Sequence, residues 1–462
     1  MEETNKPTSS GKASRRDFLK KGALATAAMM AGPGLFKTPV YGQKQAPFLG
    51  SVLGANDRIV AGFIGVGGQG YNSHLLNVIN RNPDGSARHD KTFNAVGAAA
   101  CDVFNKRRDR AESSLKDAGA PDVKVYDDYR QLIERQDIDT IFIGTVDHWH
   151  ARIAIEAMEA GKNVYCEKPM TRYLDEAFAI YDAVKRTGKT FQVGSQYCTE
   201  GKWHKAAELI QAGKIGPLVL AQDSYCRNNP DGEWNYTIEP EATPANIDWQ
   251  QWLGPVSDRP FDADAYHRWR KYYPYCAGIL GDLLAHRIHP LVIATGAPEF
   301  PVRVACLGTR QVTPDRDVPD NTQLIAEMPS GLTIMIIGST VNEQGLGQVI
   351  RGHEGTLYFS GNTVELRPER PFADLVDQEL YENVMPTENI PNHIGDFFDA
   401  IRTGREPNGN IDVAIRTQTI ISLAEMSERL GKVMHFDEQT RKITDGDGRE
   451  IPPITYGTLE LS

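Results

Sequence analysis

Residues 58–70 read RIVAGFIGVGGQG. An apolar run closed by glycine is the pattern of a parallel strand buried on both faces. Gly65, Gly67 and Gly70 then form G-x-G-x-x-G, with Val66 inside the turn. The first glycine permits a tight turn and the second lets the backbone approach a pyrophosphate. The third allows close packing of the next helix, whose first N–H groups face the phosphates. A second run, NAVGAAACD, ends in Asp102. An acid there bonds adenine-ribose hydroxyls and repels a 2′-phosphate, which favours NAD. Lys106, Arg107 and Arg108 follow closely and could neutralise a 2′-phosphate, so NADP stays open.

Outward from this turn, DTIFIGT, NVYCEKP and TFQVGSQ supply further buried strands. Between them HARIAIEAMEAGK has helical spacing, with Gly161 as its C-cap. The alternation predicts an α/β fold, a doubly wound parallel Rossmann sheet over residues 57–195. Beyond it the texture changes. GPLVLAQDSYC, VRVACLGTRQV, NTQLIAEMP, LTIMIIGSTV, QVIRGHEGTLYFSG and TVELRPE are short strands between Gly, Pro and Asp turns. They predict a second, α+β domain over 196–440 with a mostly antiparallel, open-faced sheet. NHIGDFFDAIRTG and VAIRTQTIISLAEMSERLGK return to helical spacing and are expected to pack back on the first domain.

The chain has 462 residues, 40% hydrophobic and 24% charged, with net charge -11. That balance disfavours nucleic acid or an anionic membrane surface as partner, since either needs a basic face. Six cysteines lack CxxC spacing and suggest neither a zinc site nor a disulfide framework. No metal is expected. Near the start, SRRDFLK and the uncharged run that ends at Leu35 resemble a twin-arginine (Tat) export signal. Residues 1–40 are therefore expected to be a Tat signal and linker, and the protein to be exported to the periplasm. The run is too short for a stable membrane span.

GVGGQG at 65–70, TVDHWH at 145–150, AGKNVYCEKPM at 160–170, GILGDLLAH at 278–286 and NHIGDFFDAI at 392–401 occur in the order of one family. The chain resembles the Gfo/Idh/MocA oxidoreductases, sugar and cyclitol dehydrogenases. The resemblance implies that Lys168 lies near the nicotinamide and hydrogen-bonds the reacting hydroxyl. Glu167 would orient its ammonium and Pro169 would fix the turn. Asp282 and His286, four residues apart on a helical segment, share a face. By resemblance His286 is the general base and Asp282 binds or orients substrate, and histidine suits the task near neutral pH. His289 is a core or capping histidine, a substrate contact, or a metal ligand with His286, in that order. Thr145, His148, Trp149 and His150 are assigned to the cofactor pocket, and Gln196 to substrate. The aromatic stretch holding Arg268 and Trp269 is either hydrophobic core or a sugar-binding wall.

The implied reaction is hydride transfer at a ring hydroxyl of a carbohydrate. Tat exports folded cargo and NAD is scarce outside the cytoplasm, so a tightly held, internally re-oxidised cofactor is expected. A redox-cycling, NAD-dependent glycosidase is the alternative enzyme. A non-catalytic carbohydrate-binding protein is the alternative of another class. The resemblance also implies a homo-oligomer packed through the open face of the C-terminal sheet.

Overall fold

The computed structural model describes residues 58–120 and 122–459. The SRRDFLK segment and the run after it lie outside the described residues. The first sheet has six strands, β1 (Ile59–Ile64), β2 (Ala95–Cys101), β3 (Lys124–Tyr126), β4 (Thr140–Ile143), β5 (Asn163–Glu167) and β6 (Phe191–Gly194). Their order is β3-β2-β1-β4-β5-β6 and every pair is parallel. The order reverses between β1 and β4, so their carboxyl ends open the crevice in which such sheets bind ligands. The helix Asp147–Glu159 follows β4 and buries Ala151, Ala154, Ala157 and Met158. It stops at Gly161, whose φ of 87° favours a residue without Cβ. β3 was not foreseen, because Lys-Val-Tyr is too short and polar to read as a buried run.

The second sheet has ten strands. They are β7 (Leu218–Cys226), β8 (Arg303–Thr309), β9 (Asn321–Glu327), β10 (Thr333–Ser339), β11 (Val349–Gly352), β12 (Gly355–Ser360), β13 (Thr363–Pro368), β14 (Glu379–Tyr381), β15 (Met434–Asp437) and β16 (Lys442–Asp445). The order is β14-β13-β12-β11-β7-β10-β9-β8-β15-β16, antiparallel except where β7 meets β10. Side chains alternate across it: Leu324 and Ala326 face the core while Ile325 between them is exposed. The register puts exposed Leu307, Ile325, Tyr358 and Leu380 on one open face.

Two terminal helices tie the sheets together. Helix Ile390–Thr403 lays Phe397 and Phe398 against Phe142 of β4, ring centres 5.8 Å away in both cases. Helix Ile411–Leu430 is buried along most of its length, and its Glu425 forms a bidentate, fully buried pair with Arg172, both bonds at 2.7 Å. The aromatic stretch proves to be mostly core: Trp249, Trp252, Tyr266 and Tyr275 cluster with Phe104 from the loop after β2. Phe104 pairs with Ile247 in an isolated bridge, so this stretch clasps the first domain. All six cysteines are unpaired thiols, five of them buried. Among the described residues no helix is long and apolar enough to cross a membrane.

Candidate active site

The glycine turn is fixed by close contacts. Gly65 has φ 79°, and a Cβ there would come within 2.5 Å of the Thr145 nitrogen. A Cβ at Gly70 would lie 1.8 Å from the Gly65 carbonyl oxygen, so only glycine lets the helix start against the strand. Gly68 faces open space. Asp102 shapes the turn as well as facing the cavity: Oδ2 accepts from Val66 N at 2.9 Å and Oδ1 from Phe104 N at 3.0 Å. Arg110 donates to the carbonyls of Val66 and Gly67, at 2.8 and 3.2 Å. Of the three bases after Asp102, Arg107 alone lines the cavity, its guanidinium 4.9 Å from the Tyr266 ring. Lys106 turns outward to Glu239 and Glu241, and Arg108 donates to the Asp102 carbonyl.

These features fit a dinucleotide. Bare backbone at Gly67 and Gly68 faces the cavity, and Thr145 Oγ1 beside it is a buried hydroxyl with no partner. A ligand oxygen or amide would satisfy it. The cavity, about 670 Å³, runs from this turn to Lys168, Asp282 and His286.

At its far end Lys168 Nζ donates to both Asp282 Oδ1 and the Asp282 carbonyl, each at 2.7 Å. Arg270 Nε reaches the same Oδ1 at 2.8 Å, and Trp234 Nε1 donates to Oδ2 at 3.0 Å. Burial pushes the Asp282 carboxyl upward, but Arg270 and Lys168 outweigh it and hold it well below the usual range. Asp282 is thus a fixed anion that orients the lysine. It sits in a π-helical turn, Leu280–Leu284, a geometry frequent at functional sites. His286 follows in helix Ala285–Ala294 and lines the cavity between the rings of Tyr197 and Tyr225. Burial, reinforced by the Lys168 charge, pushes its pKa well down, which leaves it a neutral base. Its Nδ1 is buried without a partner.

Glu167 lines the cavity but does not orient the Lys168 ammonium as expected; Asp282 does. The Glu167 carboxylate turns to His74 Nε2 at 2.8 Å and Gln69 Nε2 at 3.0 Å, and accepts from the Lys168 backbone N–H at 3.2 Å. Burial would raise its pKa, yet the His74 hydrogen bond and neighbouring charges bring it down to about 2. Thr145, Trp149, Gln196 and Trp269 line the cavity.

Four expected contacts stand behind the wall instead. His148 is buried with Nε2 on the Trp252 carbonyl, and burial takes its pKa down to about 3. His150 is held by the Pro169 and Thr145 carbonyls. His289 is a core histidine bonded to the Ala285 carbonyl at 2.6 Å, the first of its three readings, so it does not belong among the substrate contacts. Arg268 binds Asp264 and the Tyr236 carbonyl, while Arg270, two residues on, enters the site. Trp234, Gln69, His74 and Asp147 were missed. Arg270 was one of the basic groups of the aromatic stretch read as core or sugar wall, and Asp147 lay within TVDHWH; nothing in the sequence set Trp234 apart.

A family model described as an oxidoreductase family with NAD-binding Rossmann fold matches residues 59–195. Its companion, the family's C-terminal alpha/beta domain, matches residues 217–451. The chain belongs to the Gfo/Idh/MocA oxidoreductase family. It is 28% identical over 225 residues to a glycosyl hydrolase family 109 protein of Shewanella baltica (strain OS185), covering 46% of this chain and 45% of that one. The chain spans about half the length of the curated relatives it matches. Its fold is similar to levoglucosan dehydrogenase in complex with NADH and L-sorbose, with TM-score 0.61, 19% identity, and coverage of 86% of this chain and 100% of that one. It is also similar to aldose-aldose oxidoreductase from Caulobacter crescentus, with TM-score 0.59, 18% identity, and coverage of 82% and 100%.

Proposed function

We propose that this protein interconverts a ring hydroxyl and a ketone on a sugar, sugar derivative or cyclitol, using NAD held tightly through the cycle. The observation that carries the reading is the meeting, in one cavity with the glycine turn, of Lys168, fixed by Asp282, and the neutral base His286. Bound NAD would supply the hydride acceptor at the nicotinamide. Lys168 hydrogen-bonds the substrate oxygen and stabilises negative charge as it develops. His286 takes the hydroxyl proton. Gly65, Gly67 and Gly68 admit the pyrophosphate, and Asp102 and Arg107 flank the adenosine end. Tyr236, Trp269 and Arg270 form the side on which the sugar ring stacks and bonds.

We further infer that the protein is exported by the Tat route and re-oxidises its cofactor in place. The arginine pair at Arg15 and Arg16 supports the first point. The clasp of the second domain on the loop after β2 supports the second, since it encloses the adenosine end. The exposed apolar side chains on the open sheet face support pairing of two copies there. A redox-cycling glycosidase is the second reading, favoured by the identity to the family 109 protein. Denaturing the purified protein and assaying released dinucleotide tests the captive cofactor; an empty protein that binds NAD weakly would sink it. Aglycone release from aryl glycosides without added NAD would select the glycosidase.

A further inference from the structure

Asp147 is the first residue of the helix after β4, 1% exposed, and lines the cavity together with Lys168, Arg270 and Asp282. Its Oδ2 is buried and has no hydrogen-bond partner. The groups that act on it come from four directions: Lys168 after β5, Arg270 from the turn Trp269–Lys271, Asp282 from the π-helical turn, and the Cys276 thiol, its side-chain hydrogen-bond partner. The buried thiol of Cys166 on β5 also feels its charge.

Asp147 and Asp282 face the same two cations with opposite results. Asp282 receives the hydrogen bonds of Lys168, Arg270 and Trp234 and stays ionised. Asp147 receives none of them. Burial lifts its carboxyl to about 7, Asp282 adds to the rise, and Arg270 and Lys168 moderate it. His286, driven well below its ordinary value, is a base that gives up a proton readily. Where neighbouring titratable groups are pushed apart in this way, the environment has assigned them separate acid–base tasks.

We propose that Asp147 is a second proton-exchanging side chain of the cavity: it holds the proton released when the substrate hydroxyl is oxidised and returns it on reduction. The O–H bond breaks and its electron pair stays on oxygen to complete the carbonyl. His286 takes the proton, and the Asp147 carboxylate on the wall of the same cavity is where it is held. The C–H pair departs as hydride, for which the nicotinamide is the acceptor. A cycle that ends where it began has use for a proton store inside the site. The inference rests on the proposed hydride-transfer function.

The test is infrared titration of the full chain with bound NAD, following the carbonyl stretch of protonated carboxyl groups. In a Glu176→Gln background, which removes the other carboxyl that burial lifts to about 7, the protein is expected to show a carboxyl that titrates near neutral pH. Asp147→Asn should lack it, and Lys168→Ala should move it to higher pH by removing a charge that lowers it. A band unchanged in Asp147→Asn, or no carboxyl titrating near neutrality, overturns the inference. Should Asp147→Asn fail to fold, Asp147→Glu displaces the carboxyl, and an unmoved midpoint is equally fatal. In single turnover, Asp147→Asn should slow the hydride step about 100-fold and change its pH profile, as loss of an acid–base group does. NADH binding, read by fluorescence, separates the two claims. Glu176→Gln protein that binds NADH without the band refutes this inference alone, whereas protein that binds none removes the proposed function with it.

Discussion

Lys168 and Asp282, 114 residues apart in sequence, are joined twice, through the aspartate's carboxylate and its backbone carbonyl, each at 2.7 Å. One belongs to the end of β5 and the other to the π-helical turn of the second domain. Removing Asp282 leaves the Lys168 and Arg270 charges without their carboxylate, whereas removing Lys168 leaves that carboxylate to Arg270. Asp282→Asn is expected to cost about 3–5 kcal/mol in unfolding free energy, the range for breaking a buried pair. Lys168→Ala should abolish turnover while NAD still binds. Denaturant melts and dinucleotide titration check both.

Trp234→Phe isolates one bond. It keeps the buried ring and removes only the 3.0 Å donor to Asp282 Oδ2. A hydrogen bond to a charged group contributes about 1.5–3 kcal/mol. Stability should fall by that amount in denaturant melts, with NAD affinity unchanged.

The glycine turn predicts contrasting alanine variants. Gly70→Ala places a Cβ 1.8 Å from the Gly65 carbonyl oxygen and should eliminate dinucleotide binding, with a lowered melting temperature. Gly68→Ala meets nothing within 4 Å and should melt like wild type. Calorimetry of the pair separates steric need from general tolerance.

Glu176 gives the stability a pH dependence of known sign. Burial lifts its carboxyl from 4.5 to about 7, against the Tyr456 hydroxyl that donates to it. A group raised on folding contributes stability that is fully present below the unfolded value and is lost as pH rises through the folded one. Wild type should therefore lose stability between about pH 4.5 and 7 by this route. Glu176→Gln should show a shallower decline over that window in melting temperature.

Much of the fold was legible because its strands are buried on both faces. IVAGFI, AVGAAAC, TIFI and FQVG are apolar or small side chains with almost no polar interruption, and each became a strand of the first sheet. β3, β14, β15 and β16 escaped notice, being edge or near-edge strands of three or four residues set by their neighbours rather than by their own pattern. In the site, the family resemblance brought out Lys168, Asp282 and His286, and spacing added only that the last two share a face. Which carboxylate holds the lysine was not readable, since Glu167 is adjacent in sequence yet turns to His74. Local order says nothing of where a side chain points once another domain arrives. For the same reason Arg268 and Arg270 could not be told apart, although only Arg270 reaches Asp282.

Asp282 accepts from three segments that meet only in the finished molecule: the loop after β5, the turn holding Arg270, and the loop holding Trp234. A chain whose two halves have each folded but not yet docked leaves the lysine loose and solvated. The lysine is therefore oriented only in a molecule in which all three segments are in place.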